Sequence, residues 1–110
     1  MSTGTMADRS KVHTIIKRVH PKLRTQLNLN EEFLIELKAT DPEVISDEEH
    51  DEIRTITGAK RIDHLLELIK LKPTGVYFSF MEVLERQDQD LYKMVKDVQD
   101  TILTGMTILE

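Results

Sequence analysis

The chain has 110 residues, the length of one ordinary domain, with 39% hydrophobic and 32% charged residues and a net charge of −5. That balance excludes an intrinsically disordered chain, and the length allows a core that needs no metal or disulfide to hold it. With no cysteine, a disulfide framework, a thiolate metal site and a cysteine nucleophile are excluded, and a reducing compartment is the fitting one.

Residues 1–10 read as a flexible N-terminal segment without the apolar core of a secretory signal. From there the apolar spacing is helical. Val12, Ile15, Ile16, Val19, Leu23 and Leu27 follow the i, i+3, i+4, i+7 pattern. Pro21 falls inside this run and lacks an amide donor, which predicts a first helix that kinks or splits near His20. Asn28 or Asn30 is suited to cap a second helix carrying Phe33, Leu34 and Leu37, ending before Asp41-Pro42. Ser46-Asp47-Glu48-Glu49 matches a capping box and opens a short acidic helix with Ile53 and Ile56 to bury. After Gly58, a fourth stripe runs through Ala59, Ile62, Leu65, Leu66 and Ile69. Pro73-Thr74-Gly75 marks a turn, with Thr74 a candidate cap, before a helix lined by Val76, Tyr77, Phe80, Met81 and Leu84. Asp88 or Asp90 caps a last helix with Leu91, Met94, Val95, Val98 and Ile102. The expectation is an all-α bundle of about six helices over residues 11–100, with 101–110 extending the last helix or forming a tail. Its expected core contains Leu27, Leu34, Leu37, Leu65, Leu66, Ile69, Phe80, Leu84, Leu91 and Val95. No stretch approaches a membrane span.

Charge is uneven. Asp8 to Arg24 holds six basic residues against one acid, a net +5; Glu31 to Glu52 holds ten acids against Lys38, a net −9; Arg54 to Lys72 holds five basic residues against two acids, a net +3. Lys11, Arg18 and Lys22 share one helical face, and Lys60 and His64 share another beside Arg61. Such runs are ordinarily solvated surface. Their segregation also describes two complementary patches, through which copies would stack head to tail.

Other functions find little support. The four histidines form no metal-binding motif and read as surface residues, and Asp47 to Glu52 lacks the glycine and residue order of a calcium loop. No nucleophile elbow, phosphate loop or dinucleotide fingerprint is present, so no catalytic residue and no cofactor is assigned. The basic helix has no interleaved aromatics and the acidic block would oppose phosphate, so nucleic acid is not an expected partner.

Leu65-Leu66-Glu67-Leu68-Ile69 through Gly75, then Tyr77-Phe78-Ser79-Phe80-Met81-Glu82-Val83-Leu84 and Leu91-Tyr92-Lys93, resembles a caspase recruitment domain of the death-fold superfamily. Ile45-Ser46 before Glu48-Glu49, and Pro21 in the first helix, are similar to further features of that family. A death-effector domain would have a similar helix count. The resemblance implies an antiparallel six-helix bundle and homotypic association, often as helical filaments, in cytoplasmic apoptotic or innate immune signalling. The partner would be another such domain or the chain itself. It also implies a basic patch of Lys17, Arg18, Lys22, Lys60 and Arg61 and an acidic patch of Glu32, Glu36, Asp41 and Glu43. Within the basic set, Lys17 sits off the face shared by Lys11 and Arg18. The alternative is a generic acidic helical subunit or adaptor that takes an amphipathic helix into an apolar groove.

Overall fold

In the computed structural model, residues 9–104 are described. They form six helices and no strand: α1 (Arg9–Gln26), α2 (Glu31–Lys38), α3 (Asp47–Arg54), α4 (Lys60–Leu71), α5 (Thr74–Gln87) and α6 (Gln89–Thr104). The first helix does not split. It stays helical through Pro21, whose exposed position leaves water free to take the carbonyl that lost its amide partner. The segment after Thr104, with the apolar residues Met106, Ile108 and Leu109, lies outside the described residues.

Local chemistry sets the helix ends. Asn30 caps α2, its side chain accepting from the Phe33 amide at 2.9 Å. Ser46 and Glu49 close the expected capping box on α3, with reciprocal bonds of 3.1 and 2.9 Å. Asp88 accepts from the Leu91 amide at the start of α6. Thr74 is not a cap; it is the first residue of α5, behind Pro73. Gly58 turns the chain between α3 and α4 at φ 67°, in the left-handed region where glycine meets no Cβ penalty.

α1 packs along both α4 and α6, α5 packs on α6 and α2, and α3 bridges α2 and α4. All ten expected core residues are buried. They are joined by residues from connecting segments, Leu29 before α2 and the fully buried Val44 and Ile45 before α3. Phe33 and Phe80 meet with ring centroids 6.2 Å apart across the α2–α5 seam. Tyr77 donates its buried hydroxyl to Gln99 Oε1 at 2.8 Å, joining α5 to α6, and burial pushes its phenol pKa up. At the far end of α4, Lys72 donates both to the Val44 carbonyl and to Glu49, so one ammonium holds the α3 cap and the loop before it.

Candidate protein-interaction surface

On α1 the buried side is set by Val12, Ile15, Ile16, Val19 and Leu23. At roughly 100° per residue, Lys17 and Pro21 point away from it, His13, His20 and Arg24 fall on one flank, and Arg18 and Lys22 fall on the other. α4 lies along the first flank. His13 Nε2 donates to the Lys70 carbonyl at 2.8 Å, and His20 Nε2 donates to Asp63 Oδ1 at 2.7 Å. Arg24 Nε sits 3.0 and 3.1 Å from the two Asp63 oxygens. The bonds from His20 and Arg24 hold the Asp63 carboxyl below the usual carboxylate range.

Asp63 is the meeting point of two shallow surface depressions. Lys17, His20, Pro21 and Arg24 line one with it, and Ile56, Lys60, His64 and Glu67 line the other. Lys17 therefore joins the α4 residues, and Arg18 and Lys22 do not. Lys17, Arg18, Lys22 and Lys60 are all exposed, and none makes an ion pair or side-chain hydrogen bond among the described residues. Arg61 behaves differently. It occupies the opposite flank of α4, half-buried, and donates to the carbonyls of Ile56 (2.6 Å), Leu29 (2.9 Å) and Arg54 (3.2 Å). Its guanidinium is committed to joining the segments around α2, α3 and α4.

The acidic set also divides. Glu36 accepts from Arg86 at 2.9 Å and from Gln87, inside the α2–α5 seam, and Glu32 lies 3.4 Å from Gln87. Asp41 and Glu43, in the loop before α3, are exposed and unpaired among the described residues, and so is Glu48 on the first turn of α3. Asp47 beside them is 91% exposed at its side chain, with a 3.0 Å bond to Lys38. The open acidic surface is thus the loop and α3. Glu48 belongs to the acidic run of the sequence, where nothing in its spacing distinguishes it from its paired neighbours.

One histidine overturns the surface expectation. His50 is buried on α3, 3.1 Å from Glu31 Oε2 but not aligned with it for a hydrogen bond. Sequence shows only an acidic helix there; burial comes from α2 and α4 packing on either side. His64 is half-exposed and donates to Glu52 at 3.0 Å. A shallow groove between α5 and α6 carries Phe78, Met81 and Tyr92, edged by Glu82, Glu85 and Lys96. Among the described residues, no three His, Asp or Glu side chains converge to hold a metal ion, and no helix is long and apolar enough to cross a membrane. Compared with known proteins, the chain matches no family model, no curated sequence and no solved structure.

Proposed function

We propose that the chain is a non-catalytic assembly module of cytoplasmic signalling, of the caspase recruitment domain type, that binds copies of itself or related domains through two complementary faces. The observation that carries this reading is the separation of uncommitted charge. Lys17 and Lys60 stand free on the α1–α4 side, and Asp41, Glu43 and Glu48 stand free on the loop and first turn of α3. Unpaired charges of opposite sign on two faces of one rigid domain favour a head-to-tail contact, which propagates unless the rotation closes a ring. Light scattering and negative-stain microscopy against concentration test it. Assembly is expected to rise with concentration at low salt and weaken at moderate salt; a monodisperse monomer at all concentrations rejects it.

One feature favours a second reading, an adaptor that takes an amphipathic helix. The α5–α6 groove presents Phe78, Met81 and Tyr92 together. Under that reading Phe78→Ala weakens binding, and charge reversal at Lys60 leaves it unchanged.

A further inference from the structure

Each of the two depressions that meet at Asp63 is lined by a histidine, His20 in one and His64 in the other. With neutral imidazoles, Lys17, Arg24 and Lys60 face the carboxylates of Asp63 and Glu67 and that of Glu52 on His64, three cations against three anions, a net charge of zero. Protonating His20 and His64, which line the same two depressions, makes it +2. Each imidazole already has its Nε2 proton on a carboxylate, His20 on Asp63 and His64 on Glu52, so the proton gained goes to Nδ1 without breaking either bond. Histidine ordinarily changes charge between pH 5 and 8, where carboxylates stay ionised.

From this geometry we infer that docking of the α1–α4 face onto a second copy of the chain is tuned by proton concentration through His20 and His64. This rests on the homotypic reading above. The second copy is the fitting occupant because its Asp41, Glu43 and Glu48 are exposed, unpaired carboxylates. Groups facing the two imidazoles from α1, α3 and α4 are Lys17, Arg24, Glu52, Lys60, Asp63 and Glu67. Both imidazoles keep their carboxylate bonds when a proton is added at Nδ1, so the added charge needs no rearrangement of the fold.

Sedimentation velocity at constant ionic strength, at pH 7.5, 6.8 and 6.0, tests this with the intact chain. The wild type is expected to associate about three- to tenfold more tightly at pH 6.0 than at pH 7.5, as two added exposed charges allow. His20→Gln/His64→Gln should lose most of that response. His13→Gln, which removes one imidazole outside the two depressions, should keep it, whereas His20→Gln or His64→Gln alone should each lose part of it, and this separates a face-specific effect from the general loss of net negative charge. A flat wild-type profile, or a double variant with the full response, overturns the inference. Lys17→Glu/Lys60→Glu reports on the underlying reading. If that variant associates like the wild type at every pH, the docking face itself is wrong and the inference falls with it. If it fails to associate while the histidine variant keeps the pH response, the face stands and only the proton control is rejected.

Discussion

Arg61 separates a structural role from a docking role in one residue. Its guanidinium donates to three backbone carbonyls, those of Ile56 and Leu29 in half-buried surroundings and that of Arg54 at an exposed position. A hydrogen bond from a charged donor contributes about 1.5–3 kcal/mol, and partial exposure puts these at the lower end. Counting the two half-buried bonds and neglecting the exposed one, Arg61→Ala should destabilise the domain by about 3 kcal/mol. Arg61→Lys keeps the charge but cannot span three acceptors with one point donor, so it should recover less than half of the loss. Lys60→Ala, next in the chain but exposed and unpaired, should change stability by less than about 0.5 kcal/mol. Urea unfolding followed by circular dichroism measures all three. A loss below about 0.5 kcal/mol for Arg61→Ala would show that the guanidinium does not hold these segments, and would return Arg61 to the docking patch.

Other expectations follow from the same structure. Phe80→Ala should cost about 3–5 kcal/mol, because the ring is fully buried against Phe33; a cost under 1 kcal/mol in urea unfolding would mean the α2–α5 seam is wrongly placed. Tyr77→Phe should cost about 1–3 kcal/mol by leaving Gln99 Oε1 buried without its donor, and an unchanged melting temperature would contradict the bond. Gly58→Ala should cost about 1–2 kcal/mol through the left-handed backbone alone, since the added Cβ would meet open space. Burial works against the Glu49 charge, but the bonds from Lys72 and Ser46 outweigh it and lower the carboxyl pKa, and His20 with Arg24 lowers that of Asp63. A pKa lower in the folded state gives stability that is present above the ordinary values of 4.5 and 3.8 and is lost as pH falls below them. The melting temperature should therefore drop in that acid range, and the drop should be shallower for Glu49→Gln; equal slopes for variant and wild type would refute the assignment.

What could be read from sequence was what is local. The stripe Ile62, Leu65, Leu66 and Ile69, the capping box at Ser46 and the Asn30 cap depend on spacings of three or four residues, and each appears as the spacing dictates. Val44 and Ile45 belong to no periodic run, so their complete burial was not legible. Charge counting located the basic and acidic regions but could not tell which way a side chain turns. The patches that the family resemblance implies share this limit: they join Arg61 to Lys60 although the two leave α4 on different sides, and Glu36 to Asp41 although Glu36 is held by α5. The hub at Asp63 was out of reach for the same reason. Its partners His20 and Arg24 lie 43 and 39 positions away, and only the packing of α1 on α4 brings them together.

The central claim is that uncommitted charges on two faces of one domain drive association, and mixing two reversed variants tests it most directly. Lys17→Glu/Lys60→Glu keeps a native acidic face, and Glu43→Lys/Glu48→Lys keeps a native basic one. All four positions are exposed and unpaired among the described residues, so both variants should fold. Each exposed pair contributes about 0.2–1 kcal/mol, and several together set the contact. Neither variant should associate alone at low salt, and sedimentation of an equimolar mixture should show complexes that contain both. Variants that each assemble like the wild type, or a mixture that stays monomeric, would contradict the account.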